Sequence, residues 1–302
     1  MFTRYRTLTR RRWVAVVAPV AAAAALSAIP LAASQAATPA MAAMAGKTTA
    51  HGASSSGGLP TMTVTMNGKA ISVAGTRKSG AERIVFKVSS EVAGAPTFVK
   101  LDPGVSVSQF FAALPAAAQD PNNLYGIAQI VMSTEADKGT SSVYLNLTPG
   151  TYVALDLATQ AATPPLTVFY VGKSWHPAAM PKAGATISSR EFGFTGATKI
   201  SDGELVQWAN AGFVVHMIQG IEAPNLATAK KIAAELKAGN DNAAGALATG
   251  QYGWDGALSH GQSFESVVTQ KPGYWVIACF MDTQDGREHT TLGMEKIIQI
   301  VK

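Results

Sequence analysis

Cys279 is the only cysteine in the 302 residues. A lone thiol in an oxidising compartment cannot close an internal disulfide, so it is left to burial, intermolecular pairing or a metal. Within the apolar run Tyr274-Trp-Val-Ile-Ala-Cys279 it reads first as a small buried hydrophobe. Its neighbours in sequence change that reading. His289 follows, then Gly293-Met294, giving Cys-x9-His-x3-Gly-Met before the last apolar run, and His216 precedes them all in Asn210-Ala-Gly-Phe-Val-Val-His216. A thiolate, two imidazoles and a thioether are the donor set that holds copper in a trigonal His2Cys site with a weak axial methionine, a site suited to passing one electron. Each residue alone has a structural alternative: His216 as a satisfied core histidine, Met294 as packing, His289 as an exposed turn residue in Asp285-Gly-Arg-Glu-His289. The chain has only five histidines, however, and their order around the one cysteine, with Gly-Met following, favours the metal.

Other chemistries have less support. Ser259, His260 and Ser263 lack a Gly-x-Ser-x-Gly elbow, and no glycine-rich phosphate loop precedes a helix. The remaining histidines, His51, His176 and His260, are scattered and read as surface or structural residues.

The elements that must position the four donors are short and alternate in polarity, with turn-rich breaks between them. They are 62–66, 83–88, 142–147, 152–157, 166–171, 205–209, 274–279 and 297–301. Two helical stretches, 106–114 and 225–236, interrupt them, the second with Asn225 as its expected cap. The pattern predicts an all-β protein built of sandwiches, each with a short helical insertion. The chain also repeats itself. Gly75, Lys78 and Gly80 match Gly196, Lys199 and Gly203, and Pro149-Gly150-Thr-Tyr-Val matches Pro272-Gly273-Tyr-Trp-Val, at offsets of 121 to 123 residues. Two tandem sandwiches of similar topology are expected over 60–172 and 184–302. The same offset places Asp156 where Cys279 stands and Ala93-Gly94-Ala95 where His216 stands, so the first sandwich is expected to lack copper and to serve docking, stability or partner recognition.

At these residues the sequence resembles the cupredoxins, the blue-copper family that includes plastocyanin, azurin and the copper domains of nitrite reductases and multicopper oxidases. The order His, Cys, His, Met, the Asn210-Ala-Gly-Phe stretch before the first histidine and the Pro272-Gly273-Tyr274 approach to the cysteine carry the likeness, which covers about 120 residues directly. It implies Greek-key sandwiches and one type 1 copper held by His216, Cys279, His289 and Met294. In that reading Cys279 supplies the main electronic coupling, Met294 tunes the potential, Gly293 lets the loop turn back, and His289 approaches the surface as the electron's exit. Nitrite reductases and multicopper oxidases place further ligands beside the cysteine, whereas Ala278 and Phe280 flank it here. A coupled catalytic copper is therefore not expected, and the protein reads as an electron carrier rather than an enzyme.

Composition sets the compartment. The chain is 47% apolar and 14% charged, with a formal net charge of +5 and a pI near 9.3. Arg4, Arg6, Arg10, Arg11 and Arg12 account for that excess, and no acidic residue occurs before Glu82. The remaining body is neutral, which argues against a nucleic-acid partner. Residues 1–36 have the basic head, apolar stretch and small cleavage-site residues of an export signal. Within them, Thr9-Arg10-Arg11-Arg12-Trp13-Val14 resembles a twin-arginine signal; the general secretory route and an uncleaved membrane anchor are the alternatives. Residues 37–59 read as a flexible linker. A secreted or cell-envelope protein is expected, with an unidentified redox partner and membrane contact only if the N-terminal segment is retained. Two other functions fit the same residues. One is copper storage or delivery, drawing on Met41, Met44, Met62 and Met66; the other is a metal-free interaction module on the same scaffold.

Overall fold

A computed structural model describes residues 58–90, 93–159 and 164–302. The expected export signal, all but the end of the linker, His51, Met41 and Met44 lie outside the described residues.

The first half contains β1 (Thr61–Met66), β2 (Ile71–Gly75), β3 (Gly80–Val88), β4 (Pro96–Leu101), helix α1 (Val107–Ala117), β5 (Ala128–Ser133), β6 (Gly139–Leu147), β7 (Gly150–Asp156) and β8 (Leu166–Val171). The second half contains β9 (Ala185–Arg190), β10 (Gly193–Gly196), β11 (Lys199–Ser201), β12 (Leu205–Asn210), β13 (His216–Ala223), α2 (Leu226–Lys237), α3 (Asp241–Leu247), β14 (Tyr252–Leu258), β15 (Ser263–Val267), β16 (Gly273–Ala278) and β17 (Glu295–Val301). The repeat is visible in the pairing. β1 runs antiparallel to β2 and parallel to β3, and β9 stands in the same relation to β10 and β12. β4 lies between β5 and β7, as β13 lies between β14 and β16.

Each half is thus a two-layer sandwich, and the layers show why these segments are strands. On β1, Met62, Val64 and Met66 are fully buried while the residues between them are not, the period-two pattern of a sheet with one covered face. One layer is continuous across both halves. Strands β10-β9-β12-β15-β6-β3-β1-β2 form an eight-stranded sheet, joined where β6 pairs antiparallel with β15 and Tyr144 faces Glu265. Those two residues are 121 apart, so under the repeat each is the other's counterpart. The join therefore pairs one edge strand with its own duplicate, which removes two exposed sheet edges. A core of Phe86, Leu145, Trp208 and Phe264, among others, runs beneath it. The opposite layers, β5-β4-β7-β8 and β11-β17-β16-β13-β14, touch through Ser259, whose amide donates to Ile130 O and whose hydroxyl accepts from Ile130 N, both at 2.9 Å.

Helix α1 begins on a capping box, with Gln109 N donating to Ser106 Oγ and Ser106 N to Gln109 Oε1. It runs past Pro115, beyond the end expected at residue 114, because a proline in the last turn removes only one amide and Ala118 N still reaches Leu114 O at 2.8 Å. Asn225 caps α2 through Thr228 N at 2.9 Å, as the sequence predicts. Among the described residues no helix is long and apolar enough to cross a membrane.

Candidate metal centre

Three segments at one end of the second sandwich carry the candidate donors. His216 is the first residue of β13, Cys279 directly follows β16, His289 opens a 3-10 turn (His289–Leu292), and Met294 directly precedes β17. The loop entering β13 is fixed by Asn210, a buried side chain whose Nδ2 donates to Val214 O and Leu258 O and whose Oδ1 accepts from Gly212 N, each at 2.8 Å. The first half adds one bond, from Val215 N to Asn122 Oδ1 at 2.7 Å. On the other side Cys279 N donates to Met294 O, Met294 N to His289 O, and His289 N to Met281 O. Gly293 has φ of 95°, the left-handed conformation that turns the chain back into β17.

These constraints bring three donor atoms together. His216 Nδ1 and His289 Nδ1 are 3.3 Å apart, and Cys279 Sγ lies 3.9 Å from the first and 3.3 Å from the second. A triangle of these sides has its centre roughly 2 Å from every corner, close to the length of a transition-metal bond to imidazole or thiolate. All three residues are buried, and among the described residues they form one cluster able to hold a metal ion. Burial pushes the Cys279 thiol up to about 12, against the opposing pull of the Met217 and Met281 amides. Burial also brings His216 and His289 down to about 4, and for His216 the neighbouring His289 acts in the same direction. Both imidazoles are therefore neutral and offer lone pairs. Two Nδ1 atoms facing each other satisfy one another only if one carries the proton, whereas a cation between them accepts from both. The donor set fits a copper ion.

Met294 is fully buried in the same apolar cluster as Cys279, Met217 and Met281. His289 departs from expectation. It is 1% exposed and His216 is 2% exposed, so neither ring edge reaches the surface. The reason is the turn between β9 and β10. Phe192, with φ of 56°, sets its ring edge-on against His289 at 5.1 Å, and Glu191 Oε1 lies 3.9 Å from His216 Nε2 while accepting a hydrogen bond from Phe213 N. Neither Glu191 nor Phe192 is singled out by the sequence, because nothing in a short turn some 25 residues before His216 marks it as a cover; Asn122, almost 100 residues away, is equally silent.

The other residues considered from sequence stand elsewhere. His176 is exposed, and His260 directs Nδ1 to Gly212 O at 2.6 Å and stacks on Phe213. Met62 and Met66 are fully buried on β1, so they are core packing rather than surface thioethers available to a travelling ion. Asp156 occupies the place that the repeat assigns to Cys279: Ala95 N donates to Asp156 Oδ1 at 3.0 Å, as Met217 N donates to Cys279 Sγ at 3.3 Å.

No protein-family model matches the sequence, and no curated protein matches it either. Among solved structures, an auracyanin from the photosynthetic bacterium Roseiflexus castenholzii aligns at 16% identity over 39% of this chain and 95% of its own, with a TM-score of 0.24. Auracyanin A from Chloroflexus aurantiacus aligns at 17% identity over 38% and 96%, with a TM-score of 0.23. The copper nitrite reductase from Nitrosomonas europaea aligns at 11% identity over 80% of this chain and 93% of its own, with a TM-score of 0.23.

Proposed function

We propose that the protein is an exported type 1 copper protein that carries single electrons between partner proteins outside the cytoplasm. The convergence of His216 Nδ1, Cys279 Sγ and His289 Nδ1 carries the reading. Copper bound there supplies a one-electron couple. The protein's part is to keep the donors in place: β13, β16 and the 3-10 turn fix the two rings and the sulfur, and burial excludes water from them. Met294 would add a weak thioether donor to the bound ion, a role supported by its burial in the same cluster as Cys279 and by the main-chain bonds that its N and O make to His289 and Cys279. Ala278 and Phe280, which flank the cysteine, offer no donor for a second ion, and this supports a carrier over an enzyme. Export rests on the arginine-led N-terminal segment.

The reading is tested by titrating the copper-loaded protein with reductant and oxidant while following its visible absorption. A strong thiolate-to-copper band that disappears with one electron per protein and returns on oxidation, without loss of copper to a chelator, is the expected outcome. Copper that leaves rapidly on reduction would place the protein in metal delivery instead, and an absence of stoichiometric copper would leave only the metal-free interaction module.

A further inference from the structure

Two carboxylates from outside the ligand loops act on the donor cluster, Asp120 by its charge on His289 and Glu191 on both histidines, and Glu191 meets a specific need there. His216 Nε2 is buried and has no hydrogen-bond partner, a costly state for a polar atom away from water. An imidazole that presents Nδ1 to a metal keeps its proton on Nε2, and that proton needs an acceptor. Glu191 Oε1 is 3.9 Å away. Its position is imposed from two sides. Phe213 N donates to Oε1, and a Cβ on Gly212 would lie 2.6 Å from that oxygen and 2.7 Å from His216 Nε2, so only glycine lets carboxylate and ring come this close. The next residue, Phe192, holds left-handed backbone that is unfavourable for a bulky side chain, an independent sign that the turn is held over the site rather than relaxed into solvent.

We infer that Glu191 is a positioning residue of the metal centre: its carboxylate accepts the Nε2 proton of His216, fixes that ring with Nδ1 inward, and by its charge favours the oxidised ion over the reduced one. With the buried Cys279 thiolate it brings two negative charges to the centre, its own at the solvent edge, which balance Cu(II) and exceed Cu(I). The inference rests on the copper reading above, and it makes the β9–β10 turn, rather than the loop bearing the ligands, the element that sets the potential.

The test compares wild type with Glu191→Gln. This variant keeps an acceptor for Phe213 N and for the ring proton but removes the charge. Affinities for Cu(II) and Cu(I) are measured by chelator competition, and the reduction potential by spectroelectrochemistry. The ratio of Cu(II) to Cu(I) affinity is expected to fall about tenfold, equivalent to a rise in potential of about 59 mV. Glu191→Asp, which retains the charge, should bring the ratio back toward wild type. Urea unfolding of the metal-free variants should match wild type, since a merely structural role would change stability and leave the ratio alone. A thiolate-copper band in wild type with an affinity ratio in Glu191→Gln within twofold of it overturns the role of Glu191. A wild-type protein without that band overturns the copper reading, and the inference falls with it.

Discussion

The two halves solve one local problem with different side chains. Beyond the end of β16, Cys279 Sγ accepts the amide of Met217; at the end of β7, Asp156 Oδ1 accepts the amides of Ala95 and Ala158 at 3.0 and 3.1 Å. Both acceptors are buried. What differs is the company: Gly94 stands in the first half at the place of His216, and Val88 at the place of Asn210, so neither the first imidazole nor the clamp on its loop is present. The sandwich therefore needs an acceptor at this position whether or not a metal is held. A carboxylate meets that need through hydrogen bonds alone, while a thiolate with two imidazoles beside it becomes a donor set. The metal centre is an elaboration of a structural contact, and Asn210, Glu191 and Phe192 belong to the elaboration.

Making the second half resemble the first should have the largest effect. Asn210→Val removes three hydrogen bonds made by a buried side chain and leaves the Gly212 amide and two carbonyls without that partner. A loss of about 3–4 kcal/mol is expected in urea unfolding, together with weaker copper retention. The reciprocal cut, Asp156→Ala, strands one buried and one part-buried amide in the first half and should cost about 2 kcal/mol. Copper spectra should change little, because no donor of the cluster touches Asp156. A shift in those spectra comparable to that of Asn210→Val would refute the separation of roles.

Glu82 gives a pH dependence confined to the first half. It is 1% exposed on β3, and burial raises its pKa from 4.5 to about 7 against the pull of the Lys78 amide. The folded state thus favours the protonated acid. That stabilisation is complete below pH 4.5 and is lost as pH rises through about 7. Glu82→Gln should remove the loss, so its stability advantage over wild type grows between pH 5 and 7 by up to about 3 kcal/mol, at about 1.4 kcal/mol per unit. A constant difference across that range, measured by denaturant unfolding at each pH, would show that Glu82 titrates normally. The smallest stability change is expected for Phe192→Gly, which relieves a left-handed backbone worth about 1 kcal/mol and removes the ring from His289. Near-neutral stability with faster electron exchange to a small soluble oxidant is the expected pair of results, and unchanged exchange would mean that the ring does not limit access.

Much of this comparison was legible in the sequence, unevenly and for physical reasons. Cys279, His289 and Met294 stand out because they lie within 16 residues of one another, His216 because the Asn210-Ala-Gly-Phe stretch leads to it, and the Asp156 counterpart follows from the repeat offset alone. β13 carried no signal, since Met217 to Ile221 are buried on both faces and show no alternation. β4 opens with a proline and is mostly buried, which hides it in the same way. The pairing of β6 with β15 is a contact between residues about 120 apart, and nothing local to Ser263–Val267 announces its partner. Glu191, Phe192 and Asn122 act only through positions that the fold supplies, so their chemistry cannot be read before the fold is known.

The central claim, that His216, Cys279 and His289 together hold one copper ion, is tested most directly by copper stoichiometry with visible absorption and EPR of wild type and Cys279→Ser. One ion per protein, an intense thiolate-to-copper band and a narrow copper hyperfine splitting in wild type, with the band absent from Cys279→Ser, is the predicted result. A colourless wild-type protein, or a band that persists without the cysteine, would contradict it.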